Sequence, residues 1–312
     1  MCPISNEEMI LCGFVAKVGT EYHATLQAAI TAAEAEETIE LINDITIEQA
    51  IAVNKRVNLN LNGKTVTRDG EGYAFEVTDG ELVLEEGSIN GGVHYIINDN
   101  TYKAKDYTMS ADKEGVDITY NRTFGHTNWQ VLYVPFAIPV ENMSDFNVYS
   151  ITDANSDAVV VDQVTEGTLA AHTPYLIKAS ETGNKAITVE GATLMAAPQE
   201  NKTWAFGDYT FTGTYAPKPI SQSAEYVLTN GEWRRLNNSD QTLGSFRVYL
   251  TVDGASAPEL RITTRGEEDT TAIDNAEFNA QPSAVIYDLL GRRVEKMDKG
   301  IYIVNGKKIV VK

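Results

Sequence analysis

Three oxygen-bearing side chains stand at alternating positions in one short segment, and this spacing is suited to holding a metal ion. Asp153, Asn155 and Asp157 match the first three ligand positions of a calcium-binding loop. The pattern then departs from that loop, because its sixth position is Ala158 instead of glycine and its twelfth is Val164 instead of glutamate. A solvated acidic loop also explains the segment. Both interpretations stay open, and these three residues are the candidate metal ligands of the chain.

The other residues able to do chemistry do not form a known catalytic pattern. The four histidines are scattered without metal-ligand spacing, at His23, His94, His126 and His172. Residues 62–65, Asn-Gly-Lys-Thr, end like a phosphate loop but lack its earlier glycine and lie between β segments, which favours a β-turn. The sequence contains no Gly-x-Ser-x-Gly nucleophile motif, and both cysteines precede the first recognisable element. We therefore expect a non-enzymatic protein without a cofactor.

Aromatic side chains offer a different kind of site, since flat rings can stack on sugar rings. Tyr209, Phe211 and Tyr215 share one face of a predicted strand, and a buried face of a β-sandwich explains them. Trp204 and Trp233 lie near turn-like segments. These two tryptophans are therefore the candidate ligand contacts.

The elements that position these residues begin with a helix and a repeat. Leu26, Ala29 and Ile30 recur at helical spacing, which predicts a helix over residues 25–36. Three apolar pairs follow at offsets of 20 and 23 residues: Ile39/Leu41, Leu59/Leu61 and Leu82/Leu84. Such a repeat indicates stacked rungs, with the first members of the pairs in one inward ladder and the second members in the next. A short helix in front of the stack can cover its open end.

The stretch from Leu26 to Val66 resembles the opening of right-handed parallel β-helix proteins of the pectate-lyase-like class. The shared phrases are Leu-Gln-Ala-Ala-Ile, Thr-Ile-x-Leu and Val-x-Leu-x-Leu-Asn-Gly. The resemblance implies a helix-capped β-helix fragment over residues 23–104. It also implies an alternative function, that of a carbohydrate-binding or degenerate polysaccharide-lyase-like protein. About three rungs are too few for the long cleft with paired acids that a polysaccharide-cleaving enzyme needs.

The last 28 residues, from Val285 to Lys312, differ from the rest of the chain in charge and pattern. They contain seven Lys/Arg and three Asp/Glu, a balance of +4, so the rest of the chain carries −23 of the net charge of −19. Short apolar runs predict three strands, over residues 285–287, 300–304 and 308–311. The segment is therefore expected to fold as a small β unit.

This tail resembles the C-terminal sorting domain of Bacteroidetes proteins exported by the type IX (Por) route. The residues that carry the motif, and hence the implied sorting signal, are Tyr287, Asp288, Gly291, Arg292, Arg293, Gly300, Tyr302, Asn305 and Gly306. The resemblance implies that residues 283–312 are read by the secretion machinery. Its Asn-Gly pair predicts a two-residue type I′ turn, with Ile301 and Ile303 placed against Ile309 and Val311.

Residues 105–264 show short alternating runs separated by Gly, Asn, Asp and Pro, which predict an antiparallel β-sandwich. The phrases Tyr133-Val-Pro-Phe136 and Thr173-Pro-Tyr-Leu-Ile177 resemble a module found just upstream of the sorting tail in Bacteroides-type surface proteins. Residues 265–282 are polar and acidic and are typical of a linker. The expected fold class is therefore all-β, with a β-helix fragment, a sandwich and a small C-terminal β domain.

The net charge and the length of the apolar runs limit the classes of partner and the locations that fit this chain. A net charge of −19 disfavours nucleic acid and anionic membranes as partners, and the apolar runs are too short for a spanning helix. Residues 1–22 are expected to be a leader or an unstructured segment, although they lack the usual signal-peptide pattern. We therefore expect an extracellular or outer-surface protein that acts in adhesion or ligand display. Its expected partners are the secretion machinery and a host matrix protein or glycan.

Overall fold

The protein is described by a computed structural model that is nearly all β. The described residues are 13–220, 225–235, 241–254, 258–265, 286–288, 292–294, 299–304 and 307–311. The chain divides into two compact units, Met1–Ile262 and Thr263–Lys312. Within the described residues, no helix is long and apolar enough to cross a membrane.

The first unit begins with a β-hairpin and a short helix. These are β1 (Ala16–Val18), β2 (Glu21–His23) and α1 (Leu26–Ala32). The Thr25 hydroxyl accepts a hydrogen bond from the Ala28 backbone nitrogen at 3.1 Å and caps the start of the helix. The helix is shorter than the predicted range of 25–36, because Ala33 already leaves the helical conformation, with a ψ of 136°, and the chain then turns at Glu36, with a φ of 68°, to enter the next strand.

Three turns of a parallel β-helix follow, each made of three short strands. The first turn contains β3 (Thr38–Leu41), β4 (Ile45–Ile47) and β5 (Ile51–Val53). The second contains β6 (Val57–Asn60), β7 (Thr65–Arg68) and β8 (Tyr73–Val77). The third contains β9 (Leu82–Glu85), β10 (Ser88–Asn90) and β11 (Gly92–Asn98). Equivalent strands pair in parallel and build three sheets along the stack, which confirms the predicted β-helix fragment.

The open end of this stack is covered by the elements in front of it. β1 pairs antiparallel with β3 and extends the first sheet. In the sheet that begins with β5, Gln27 of α1 takes the place of a neighbouring strand. Its Nε2 donates to the Ala52 carbonyl at 3.1 Å, and its Oε1 accepts from the Ala52 nitrogen at 2.8 Å. Because these contacts satisfy backbone groups that an edge strand would leave bare, the predicted capping role of the helix is confirmed.

The register of the first sheet corrects one detail of the predicted ladders. Ile39 lies opposite Leu59 as expected, but Leu59 pairs with Leu84, and Val57 pairs with Leu82. The step between the second and third turns is therefore 25 residues at these positions, where the leucine spacing suggested 23. Leu84 therefore continues the ladder of Ile39 and Leu59 and not the predicted ladder of Leu41 and Leu61. Leu82 is buried, whereas Leu84 is 37% exposed, because β9 is the edge strand of its sheet.

A buried carboxylate anchors the chain where it leaves the third turn. Glu81 is 2% exposed and accepts hydrogen bonds from Ser110 and Arg56, the latter at 3.1 Å. The Lys113 ammonium lies 2.7 Å from the same carboxylate. Although burial alone would raise the pKa of Glu81, the hydrogen bonds from Lys113 and Ser110 hold it below its usual value.

The sandwich region continues from the β-helix without an interruption of the core. Its strands are β12 (Lys113–Phe124), β13 (Gln130–Leu132), β14 (Ile138–Pro139), β15 (Phe146–Ala154), β16 (Ala158–Val164), β17 (Thr168–Leu169), β18 (Tyr175–Ala179), β19 (Gly183–Leu194), β20 (Thr203–Phe206), β21 (Tyr209–Thr214), β22 (Lys218–Pro219), β23 (Glu225–Thr229), β24 (Glu232–Arg235), β25 (Thr242–Leu243), β26 (Arg247–Val252) and β27 (Glu259–Thr264). Short 3₁₀ helices lie at Thr101–Lys103 and Val140–Met143.

Strand β12 joins the two regions. It pairs in parallel with β11 of the β-helix on one edge and antiparallel with β19 on the other, so one sheet runs from β5 to β19. A second, ten-stranded sheet has the order β13-β18-β15-β16-β27-β24-β23-β26-β21-β20. The Phe246 ring packs 6.0 Å from Tyr120 of β12 and 5.4 Å from Tyr215, which places aromatic rings between the sheets. The predicted β-sandwich is therefore confirmed.

The second unit contains a small antiparallel sheet. Its strands are β28 (Ile286–Asp288), β29 (Arg293–Val294), β30 (Gly300–Val304) and β31 (Lys307–Val311), in the order β29-β28-β30-β31. The predicted small β unit is confirmed, with one strand more than the three predicted, at Arg293–Val294. The predicted signal residues Gly291, Asn305 and Gly306 lie outside the described residues.

The hairpin of β30 and β31 corrects the predicted facing pairs. Val304 lies opposite Lys307, so two residues separate the strands, as a two-residue turn requires. This register places Ile301 opposite Val310 and Ile303 opposite Lys308. The predicted pairing of Ile301 and Ile303 with Ile309 and Val311 is therefore wrong by one residue, because a two-residue connection fixes the register from Val304 onward.

Candidate ligand-binding site

The predicted metal ligands lie in the hairpin between β15 and β16. The Asn155 Oδ1 atom accepts hydrogen bonds from the backbone nitrogens of Asp157, at 2.9 Å, and Ala158, at 3.0 Å. Asp153 Oδ1 accepts from the Ala154 nitrogen at 2.8 Å. These oxygens therefore hold the turn, which favours the acidic-loop interpretation. Across the described residues, no three His, Cys, Asp or Glu side chains group closely enough to hold a metal ion, and the metal site stays a prediction.

The two candidate tryptophans have different environments. Trp233 is fully buried, with its ring 5.3 Å from Phe211 in an edge-to-face contact. A ligand cannot reach this ring, so the predicted role of Trp233 in ligand contact is wrong. It faces the core because the alternation of β24 sends its neighbours Glu232 and Arg234 to the other side. Trp204 is half-buried and stays a candidate.

Two histidines are held in structural contacts. His172 is 8% exposed, and its Nδ1 lies 2.9 Å from the Tyr215 hydroxyl. His94 has its Nε2 2.9 Å from the Thr119 hydroxyl. Burial lowers the pKa of both rings; the charge of Lys202 adds to the effect at His172. Both imidazoles are therefore neutral packing groups at neutral pH.

A buried charge cluster lies where β11 ends beside β12 and β26. Arg247 Nη1 and Nη2 donate to the two carboxylate oxygens of Asp99 at 2.6 and 2.7 Å, and the Tyr120 hydroxyl donates to Asp99 Oδ1 at 2.6 Å. Asp99 is 3% exposed. Burial alone would raise the pKa of Asp99, but the Arg247 hydrogen bonds hold it at about 2. The Asp99 carboxylate is thus ionised at neutral pH, and both of its oxygens accept hydrogen bonds from these partners.

Arg122 brings a second guanidinium into the same cluster. Its Nη1 donates to the Val131 carbonyl at 2.6 Å and its Nη2 donates to Gln130 Oε1 at 2.8 Å, while its Nε lies 3.9 Å from Asp99. The side chain is 9% exposed. Burial lowers the pKa of Arg122, and the nearby charge of Arg247 lowers it further. Two arginines therefore share one carboxylate, which leaves one buried positive charge uncompensated.

A cavity of about 220 Å³ opens beside these arginines. Its polar lining comes from Arg122, His126, Gln130, Asn230 and Arg247, and its apolar lining from Trp129, Val131, Leu228, Leu243 and Val248. We call this space the arginine cavity. The first residues of β13 and β26 and the end of β23, all in the ten-stranded sheet, position most of the lining, and Arg122 comes from β12 of the other sheet, so both sheets contribute to the walls. Its mixture of cations and apolar side chains suits a small ligand with both an anionic and an apolar part.

A second space, of about 300 Å³, is lined mostly by side-chain amides. Its residues are Asn98, Asn100, Asn121, Arg122, Thr123 and Asn184, and we call it the amide cleft. Asn121 Nδ2 donates to Asn98 Oδ1 at 3.2 Å, and the Thr123 hydroxyl donates to Asn184 Oδ1 at 2.7 Å. Side-chain amides both donate and accept hydrogen bonds, as sugar hydroxyls do. This cleft is therefore suited to an uncharged polyhydroxylated ligand.

Sequence reasoning missed both spaces. Asp99 and Arg247 are separated by 148 positions, and no local motif links them. The one available signal was the alternation of β12, in which Arg122 occupies an inward position between Tyr120 and Phe124. A charged residue at such a position calls for a buried partner.

No protein-family model, curated protein or solved structure matches this chain. The resemblances of the β-helix start, the sandwich and the tail to known families therefore stay predictions.

Proposed function

We propose that this is a non-enzymatic protein of the cell surface or the extracellular medium, which acts in adhesion or ligand display. The observation that carries the binding role is the arginine cavity, where Arg122 and Arg247 supply more positive charge than Asp99 neutralises. The export part rests on the tail motif, whose implied partner is the secretion machinery.

The contacts of the titratable groups support a non-enzymatic role. General acids and bases need a proton to exchange with a substrate. Here Asp99 is engaged by Arg247, His172 lies against Tyr215, and His94 lies against Thr119. These groups have shifted pKa values for structural reasons, through burial and internal pairing, and not through exposure in a cleft.

The tail chemistry supports a folded signal. Asp288 Oδ1 accepts a hydrogen bond from the Arg292 nitrogen at 2.9 Å, and Asp288 Oδ2 lies 2.7 Å from Arg292 Nε. The aspartate and the arginine of the Asp-x-x-Gly-Arg motif thus bind each other. Tyr287 is 40% exposed and is available to a reader of the signal.

The alternative function is that of a carbohydrate-binding protein or a degenerate polysaccharide-lyase-like β-helix protein. The amide cleft favours it, because hydroxyl recognition needs paired donors and acceptors on rigid strands. Asn98 and Asn121 are adjacent partners in the parallel register, and Thr123 and Asn184 are partners in the antiparallel register.

Binding to two arrays tests the proposal against its alternative. The purified chain is applied to immobilised host matrix proteins and to a glycan array, and polysaccharides are assayed for release of reducing ends or unsaturated products. We expect saturable binding to a matrix protein and no product above background. Specific glycan binding that is lost in Asn121→Ala, but kept in the exposed control Asn128→Ala, would replace the first proposal by the second. Product release that one acidic substitution abolishes would contradict both.

A further inference from the structure

We propose that the arginine cavity binds a small organic monocarboxylate with an apolar body, whose carboxylate meets Arg122. This inference rests on the proposed function, since it names the ligand class of that site. The first step is charge. Asp99 carries one negative charge against the two guanidinium groups of Arg122 and Arg247, and both arginine side chains are mostly buried. A buried cation without a counter-charge is costly, and a bound monoanion would compensate it.

The hydrogen-bond donors of Arg122 are suited to such a ligand. A guanidinium has five N–H donors. The hydrogen bonds of Arg122 to Val131 and Gln130 use one hydrogen on each Nη atom and fix the plane of the group. Each Nη atom keeps a second hydrogen, and either one can donate a charge-assisted hydrogen bond to a carboxylate. Arg247 is less suited, because its two Nη atoms are held by Asp99.

The size and the polarity of the arginine cavity also fit such a ligand. An apolar cavity of about 150 Å³ is large enough to bind benzene. The arginine cavity, at about 220 Å³, therefore has room for one ring and a carboxylate but not for a drug-sized molecule. Trp129, Leu228 and Val248 supply an apolar wall. A monoanion matches the excess of one positive charge, whereas a dianionic phosphate would leave a surplus negative charge.

The experiment uses benzoate as the probe and benzyl alcohol as its neutral counterpart, measured by calorimetry and by the shift of the unfolding midpoint. We expect benzoate to bind at least about tenfold more tightly than benzyl alcohol, since one charge-assisted hydrogen bond supplies that ratio. Arg122→Lys keeps the charge but loses the planar fork, and we expect it to weaken benzoate binding about tenfold. Equal binding of benzoate and benzyl alcohol would overturn the proposal.

A second variant fills the cavity without touching the charge cluster. Leu228→Phe places a ring in the space, and we expect it to weaken benzoate binding by about tenfold or more. The matched control is Leu84→Phe on the last turn of the β-helix, where the residue is 37% exposed, and this variant should bind benzoate like the unchanged protein. Unchanged binding in Leu228→Phe would also overturn the proposal. Matrix-protein binding is measured on the same samples: if it persists while benzoate fails, this inference falls and the proposed function stands.

Discussion

Removing the charge of Asp99 is the sharpest test of the buried cluster. Asp99→Asn keeps the shape of the side chain but leaves Arg122 and Arg247 without their carboxylate. The difference between the ordinary pKa of 3.8 and the value of about 2 corresponds to about 2–3 kcal/mol in favour of the ionised form. Because two buried cations also lose their partner, we expect a total loss of about 3–5 kcal/mol in the free energy of unfolding.

The assay is urea unfolding at pH 7, and the free energies of unfolding are compared at a common m value, which is the slope of the free energy against urea concentration. The matched control is Asp79→Asn, which breaks the more exposed ion pair with Lys105 and should cost about 0–1 kcal/mol. Since the folded pKa of Asp99 is depressed, its contribution is present above about pH 4 and is lost as the pH falls toward 2. The gap between the unchanged protein and Asp99→Asn should shrink over that window. A loss equal to that of the control, or a gap that does not change with pH, would refute the reasoning.

Three further predictions concern the core, the pH response and the tail. Leu61→Ala removes a side chain that is 2% exposed inside the β-helix, and denaturant unfolding should show a loss of about 2–5 kcal/mol; a loss below about 1 kcal/mol would contradict the buried ladder. The pKa of His172 is lowered in the folded protein, so its contribution to the free energy of unfolding is present above pH 6.5 and is lost as the pH falls below that value. Asparagine tolerates the positive φ of 54° at this position. His172→Asn should therefore show a smaller loss of stability on acidification than the unchanged protein. Deleting residues 283–312 should leave the melting temperature of the first unit nearly unchanged and should trap the protein inside the envelope of a host with type IX machinery; normal export would contradict the sorting role.

Local patterns predicted the elements whose identity depends on neighbouring residues. The alternation around Leu59 and the spacing of the apolar pairs were enough for the β-helix, and the Asn-Gly pair was enough for the length of the last connection. The register between Leu59 and Leu84 was not predictable, because the loops of a solenoid turn can lengthen without changing the repeat. Trp233 was misjudged for a related reason: a nearby turn suggested exposure, but the strand alternation decides which face is buried.

The candidate site was beyond sequence reasoning because it is assembled from distant segments. Arg122 belongs to β12 and Arg247 to β26, and only the packing of the two sheets brings both near Asp99. A charged residue among apolar neighbours marks a position that needs a partner, but it does not name the partner.

The double pairing of β12 determines where this chain can be cut. Its parallel edge is covered by β11 and its antiparallel edge by β19, so the strand belongs both to the β-helix and to the sandwich. A fragment that begins at Lys113 would bare one long edge of backbone donors and acceptors, and such edges recruit other chains. The excised sandwich would therefore aggregate, and transplanting the repeats to another protein would require β12 to travel with them. The β-helix turns therefore protect an edge strand of the sandwich and are not an exchangeable module.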